Sequence, residues 1–367
     1  MKTGFHSPLP PAATGVADYA AALLKELQRH GDVEPHARRA DIHLYHMGNN
    51  QLHRAVYLRA LAEPGVVVVH DALLNHFYLG SLDESAYIDE FCHQYGDWHR
   101  DYAGLLWRER ARSAADPRYF RFPMLKRIAG RARALVVHNP VAARVVRDHY
   151  ANATVRLIPH LFEQPPLPDA VEVLSARARF GLTRQNYLFA VFGHLRESKR
   201  LHSILRALAR ARGADHRIAL LVAGNFSSPD LQRALSQALD AGGIIRLPYL
   251  TEREFWLWAS ACDACINLRY PSAGETSGIG IRLMGIGKPV LVTRESGDAA
   301  DAAQTSIAIE PGPAEAGHLA EWMRVLAANR GYGDQIGGSA QARILRDHSL
   351  ARVGKLYQEV LKEARKR

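Results

Sequence analysis

The chain has 367 residues, 47% of them hydrophobic, enough to fill two hydrophobic cores rather than one. Its 3 cysteines, Cys92, Cys262 and Cys265, are too few and too scattered for a disulfide framework, and no apolar run approaches the ~20 residues that span a bilayer, which excludes disulfide-stapled and membrane-spanning classes. The net charge of +10 is uneven: residues 98–133 hold ten Lys/Arg against three Asp/Glu.

The opening MKTGFHSPLPP sets prolines where a secretory leader needs an unbroken apolar stretch, so a cytoplasmic location is expected. After it, Thr14-Gly15 opens a helix whose apolar positions Val16, Tyr19, Ala20, Leu23, Leu24 and Leu27 form one buried stripe. The entry is either a rigid loop presenting backbone N–H groups to an anion or a structural turn; spacing alone does not separate the two. Short β-branched runs follow at residues 42–46, 66–70, 134–138 and 155–158. The same rhythm returns at 187–192, 218–223, 244–247, 264–268, 289–293 and 306–309, with amphipathic stretches between. Apolar strands alternating with helices predict an α/β fold with parallel sheets covered on both faces. Residues 162–172, with Pro165, Pro166 and Pro168, read as a linker between an N-terminal domain (1–161) and a C-terminal one (173–349). Residues 350–367 form a last helix, expected to pack back on the first domain.

The basic segment 98–133 interleaves Trp98, Tyr102, Trp107, Tyr119, Phe120 and Phe122 with arginines such as Arg108, Arg110 and Arg112. It fits peripheral contact with an anionic membrane face, or a solvated helical face whose aromatics point inward. Nucleic acid is not an expected partner, since no recognised binding module accompanies the charge.

Several segments carry chemistry. His46, His70 and His138 close strands of the first half, and His194 follows the first strand of the second; His70-Asp71 is the sharpest, a polar pair ending an apolar strand. The stretch Phe192-Gly193-His194-Leu195-Arg196-Glu197-Ser198-Lys199-Arg200 puts cations between a strand and a helix start, where a phosphate docks. Residues 267–282 run strand, glycine-rich turn, helix start, with Gly274, Gly278 and Gly280 allowing close backbone approach. Glu275 within that turn suits neutral hydroxyls, as on a sugar. Cys262-x-x-Cys265 lacks a second ligand pair for zinc, and Cys265 falls in an apolar strand. No metal site is expected, and no G-x-G-x-x-G opens an early helix as a dehydrogenase would require.

In this order, SPLPPAATGVADY, YHMGNNQLH, PGVVVVHD, VFGHLRESKR, RYPSAGETSGIGIRLMGIGKPV and HSLARVGKLY resemble glycosyltransferase family 4, in its GETSG version, nearly end to end. The resemblance implies the GT-B architecture of two Rossmann-like domains facing across a cleft. It also implies metal-independent, retaining transfer of a hexose-like sugar from a nucleoside-diphosphate sugar, with no other cofactor. The acceptor would be a glycan or a lipid-linked sugar, in polysaccharide or glycolipid synthesis. Gly15 would lie near the acceptor and leaving group, His70 beside the transferring sugar, and Lys199 on the diphosphate with Gly193, His194, Arg196 and Arg200 around it. Glu275 would meet sugar hydroxyls, Gly274, Thr276, Ser277 and Gly278 would surround the departing phosphate, and Tyr249 would lie near the base. Two departures stand out. His194 replaces an arginine common in the family, and Arg282 stands at the family's second glutamate, usually the ribose ligand. An arginine cannot accept a hydrogen bond, so it reaches phosphate or serves another end. The alternative reading is a GT-B protein that binds nucleotide sugar or glycan without transfer.

Overall fold

The computed structural model describes residues 1–12, 14–294, 296–297 and 305–366. Ala13 of the opening motif and residues 298–304 of the second half therefore lie outside the described residues. The chain divides into two compact units: Met1–Leu161 with Pro271–Thr276 and Asp347–Arg367, and Phe162–Tyr270 with Ser277–Arg346.

The first unit runs β1 (Lys2–His6), α1 (Gly15–His30), β2 (Asp32–Pro35), β3 (Ile42–Met47), α2 (Arg54–Ala62), β4 (Val66–Val69), α3 (Asn75–Ser81), α4 (Glu84–Tyr95), α5 (Arg100–Arg108), α6 (Lys126–Arg131), β5 (Ala134–Val137), α7 (Pro140–His149) and β6 (Val155–Leu157). The second runs α8 (Ala170–Ala178), β7 (Tyr187–Phe192), α9 (Leu201–Ala214), β8 (Ile218–Ala223), α10 (Pro229–Leu239), β9 (Ile244–Leu247), α11 (Glu252–Ala261), β10 (Ala264–Asn267), α12 (Gly278–Gly285), β11 (Val290–Thr293), β12 (Ile307–Ile309), α13 (Glu315–Ala328) and α14 (Arg330–Asp347). The last helix, α15 (Leu350–Arg365), belongs to the first unit.

Each unit is built on a six-stranded parallel sheet, ordered β2-β1-β3-β4-β5-β6 in the first and β12-β11-β10-β7-β8-β9 in the second. The central strands are apolar throughout because helices cover both faces: every residue of β4, β5, β7, β8 and β11 is buried. Local sequence starts the helices. Thr14, Asp83, Asn139, Ser228 and Ser277 each accept a backbone N–H at an N-terminus, and Asp169 and Thr251 form capping boxes with Glu172 and Glu254. The six apolar positions read on α1 are all buried. Tyr19, Ala20, Leu23, Leu24 and Leu27 share a core with Val353, Tyr357, Val360 and Leu361 of α15, and the Tyr19 and Tyr357 hydroxyls hydrogen-bond at 2.9 Å.

Three features differ from the sequence reading, and a fourth matches the inward-facing alternative given for the basic segment. Strands β1 and β2 were not expected: KTGFH carries a lysine and a glycine, DVEP is short and ends in proline, and neither shows the apolar run that marks the others. The stretch read as a linker is shared out, since Phe162 is buried in the second unit's core and α8 starts at Ala170. Pro271–Thr276 and residues 347–349 group with the first unit rather than the second. The aromatics of the basic segment turn inward: Trp107 and Tyr119 are buried and Tyr102, Phe120 and Phe122 pack on the same core, leaving Trp98 exposed. Much of its charge is also met locally, with Arg118 paired to Glu109 and Asp116, Arg127 to Glu90, and Arg110 stacked 4.2 Å over Trp107. Among the described residues no helix is long and apolar enough to cross a membrane.

Candidate functional site

Where the strand order of an open parallel sheet reverses, the loops beyond the carboxyl ends part and leave a crevice for ligands. In the second unit that point lies between β7 and β10, so the loops after these strands are the ones to examine. They are the Gly193–Arg200 and Leu268–Ser277 stretches singled out by sequence.

After β7 the chain turns at Gly193, whose φ of 89° lies in the left-handed region, and a Cβ there would come within 2.7 Å of Ile279 Cδ1 on α12. The same Cβ would sit 3.7 Å from Lys199 Nζ. Gly193 is thus bare backbone beside both a lysine and a side chain of the first turn of α12. Lys199 is buried, and its ammonium donates to the Phe192 carbonyl at 2.5 Å, which fixes a positive charge at the carboxyl end of β7. Ser277 caps α12: its hydroxyl accepts the Gly280 N–H at 3.2 Å and is held by Arg269 at 3.1 Å and Asn267 at 3.3 Å. The partial positive charge at that helix start and the Lys199 ammonium are two cationic features of this part of the sheet end, a pairing that anions favour.

The other expected donor residues take varied positions. His194 and Arg196 are exposed on the loop. Arg200, in a left-handed conformation at φ 58°, gives its Nε to the buried carboxylate of Glu315 at 2.9 Å. Tyr249, beyond β9, is 67% exposed, as an aromatic surface for a base would be. The Arg282 guanidinium pairs with Glu252 and lies 4.1 Å over Phe255 and 4.3 Å over Trp256.

In the first unit the reversal lies between β1 and β3, beside the loops leading to Gly15 and through residues 48–53. Gly15 starts α1 with nothing within 4 Å of where its Cβ would stand, so its backbone faces open space. Next to it the sheet's carboxyl end carries a hydrogen-bonded row of histidines. His138 Nδ1 lies 2.9 Å from the Ile158 carbonyl, which can only accept, so that nitrogen bears the proton. Burial lowers the His138 pKa to about 4, so the ring is neutral and its Nε2 accepts, at 3.2 Å, from His70 Nδ1. The same reasoning makes His70 Nε2 the acceptor of His46 Nδ1 at 3.0 Å. Burial holds His46 and His70 well below the usual histidine pKa, with neighbouring histidines adding repulsion. His46 Nε2, at the far end, is buried without a hydrogen-bond partner among the described residues. Tyr19 packs edge-on against His70 and His160 at 4.8 Å.

Both ring nitrogens of His70 are therefore engaged. The carboxylate expected to tune it, Asp71, accepts the Asn49 N–H at 2.8 Å, and the groups acting on His70 are other histidines. The Pro271–Thr276 loop is held from the first unit by a residue that sequence reasoning missed. Asn139, which caps α7 through the Ala142 N–H at 2.8 Å, donates Nδ2 to the Gly274 carbonyl and the Thr276 hydroxyl, both at 2.9 Å. The Asn-Pro pair after β5 signalled the cap, but nothing local signalled the second contact. Glu275 accepts from Ser272 Oγ at 3.1 Å and the Ala273 N–H at 2.8 Å, which shapes its own loop. The cysteines are buried, and burial pushes the Cys262 thiol up to about 11.

Neither a family model nor a curated protein matches the sequence. Solved structures do. The Anabaena protein HepE in complex with UDP-glucose aligns over 99% of this chain and 100% of its own, with TM-score 0.67 and 14% identity. Sucrose-phosphate synthase from Thermosynechococcus elongatus aligns over 99% of both chains at TM-score 0.63 and 13% identity. The chain has the GT-B fold. WaaG, a glycosyltransferase of lipopolysaccharide biosynthesis, shares it over 98% of this chain and 99% of its own, with TM-score 0.62 and 13% identity. At such identities the likeness carries the fold and leaves the chemistry to the residues themselves.

Proposed function

We propose that this GT-B protein transfers a sugar from a nucleoside-diphosphate sugar to a glycan or lipid-linked acceptor, with retention at the anomeric carbon. The observation that carries the reading is that the buried Lys199 ammonium and the first turn of the capped helix α12 both approach Gly193. As the sugar–phosphate bond lengthens, negative charge gathers on the leaving diphosphate. A fixed ammonium and aligned N–H dipoles, already in place, lower that charge's energy more in the transition state than in the bound donor. These groups supply the positive charge that a divalent cation provides in other transferases, so the reaction proceeds without metal. A phosphate oxygen of the leaving group takes the acceptor proton, which keeps attack on the face that group vacates.

UDP is the diphosphate to test first, because HepE was captured with UDP and with UDP-glucose. Gly15, His70 and Glu275 are assigned to the sugar and acceptor. Exposed Trp98 with Arg108 and Arg112 is the surface for peripheral contact with an anionic membrane. The test is incubation with UDP-hexoses in EDTA, following UDP release and the anomeric configuration of product by NMR. Release with retention, lost in Lys199→Ala, supports the proposal; inversion, or a strict need for added metal, contradicts it. Tight donor binding with no release from any UDP-hexose and acceptor would favour a binding protein without transfer.

A further inference from the structure

A nucleoside diphosphate offers three things to recognise: phosphates, a base, and a ribose diol whose hydroxyls donate hydrogen bonds. The second unit provides for the first at Lys199 and α12, and a carboxylate is the acceptor expected for the diol in sheets of this kind. Arg282 cannot fill that need, but its surroundings can.

The Arg282 guanidinium is flanked by the rings of Phe255 and Trp256, at 4.1 and 4.3 Å, and its amine end meets the carboxylate of Glu252. Trp256 Nε1 donates to the same carboxylate oxygen, Oε1, at 2.8 Å. Two donors from different helices therefore fix Glu252 through one oxygen. Its Oε2 has no hydrogen-bond partner among the described residues, and the side chain is 71% exposed. A surface glutamate in a plain ion pair samples many rotamers; one locked by an indole and a stacked arginine holds its second oxygen in place, ready to accept.

The position suits the need. Glu252 opens α11, directly after the loop beyond β9 that carries exposed Tyr249. Arg282 stands one turn along α12 from Gly278, about 6 Å of helix rise. That displacement is comparable to the separation between the phosphates of a nucleotide and its ribose. Ile279, whose side chain lies by Gly193, and Arg282, which pairs with Glu252, stand three residues apart on α12.

We infer that Glu252 is the ribose-hydroxyl acceptor of the donor site and that Arg282 is its positioning residue, an exchange in which the carboxylate comes from α11 and the arginine of α12 holds it. The inference rests on the nucleotide-sugar reading above.

The test is titration calorimetry of the full chain with UDP, GDP, ADP and CDP, then with the 2′,3′-dideoxy form of whichever binds most tightly. Wild type, Glu252→Gln, Glu252→Ala, Arg282→Lys and Lys199→Ala are compared, with unfolding midpoints as the folding control. The expected result is that Glu252→Ala weakens the ribonucleotide about tenfold, roughly 1.4 kcal/mol, and changes the dideoxy form less than twofold. Glu252→Gln, which keeps an acceptor for Trp256, loses a smaller factor, and Arg282→Lys loses affinity for the ribonucleotide alone. An unchanged ratio of ribo to dideoxy affinity in the Glu252 variants, or equal weakening of both ligands, overturns the inference. If Lys199→Ala abolishes binding while the Glu252 variants match wild type, only this inference falls; if wild type binds none of the four, the donor reading falls with it.

Discussion

The two sheets run in the same manner, six parallel strands with one reversal of order, yet their carboxyl ends carry opposite chemistry. The second unit gathers charge: a buried lysine, a capped helix start, and an arginine locked to a glutamate. The first gathers neutral imidazoles, stacked and hydrogen-bonded in one direction under a carbonyl that fixes their tautomers. A parallel sheet thus dictates where a site lies, and the residues closing each strand dictate what it can hold. Charge in the second unit is what the proposed diphosphate would need. The desolvated rings of the first are neutral and spend their directed hydrogen bonds largely on one another.

Acid breaks the first of these regions most. Burial lowers the pKa of His138 and His53 to about 4 and of His6 and His160 to about 3. An unfolded chain takes up protons on these rings below about 6.5 while the folded chain does not, so stability is constant above that pH and falls as pH drops toward 4 and 3. Each unit of depression corresponds to about 1.4 kcal/mol per ring. Unfolding midpoints measured from pH 8 to pH 4, with amide exchange to locate the change, should drop steeply below 6.5 and first in the first unit. A flat profile would remove the neutral histidine row from the account.

In the second region, Gly193→Val places a branched side chain at φ 89° against Ile279. It should cost about 2–3 kcal/mol of stability and remove nucleotide affinity, read by calorimetry. Asn139→Ala removes the α7 cap and the two contacts to Gly274 and Thr276. A loss of about 1–2 kcal/mol is expected in denaturant titration, with faster exchange of the 271–276 amides. The smallest effect belongs to the basic segment: Arg108→Ala and Arg112→Ala should each change stability by less than about 0.5 kcal/mol, because both arginines are exposed and their side chains make no hydrogen bond or ion pair among the described residues. Any larger change would mean that the segment supports the first unit's core directly.

Much of this was legible in sequence where the signal is local. The apolar runs marked both sheets' central strands, and the spacing of Val16 to Leu27 marked the buried face of α1. The place of Gly193 and Lys199 between a strand and a helix start was legible because an apolar run, a glycine and cations stand side by side. What escaped depends on distance along the chain. His46 and His70 lie 24 residues apart, and His70 and His138 lie 68 apart, so no periodicity could show that they form one row. Arg282 was readable as a departure but not as a clamp, because Glu252 stands 30 residues away on another helix. Strand β1 escaped because a five-residue segment with lysine and glycine is defined by its neighbours in the sheet.

The central claim is that a diphosphate binds between Lys199 and the start of α12. A thermal-shift panel of UDP, GDP, ADP, TDP and NAD on wild type and Lys199→Ala tests it most directly, since a ligand that binds only the folded state raises its midpoint. The account predicts that one nucleoside diphosphate stabilises wild type and not the variant. Stabilisation by NAD alone, or by a diphosphate equally in both proteins, would contradict it.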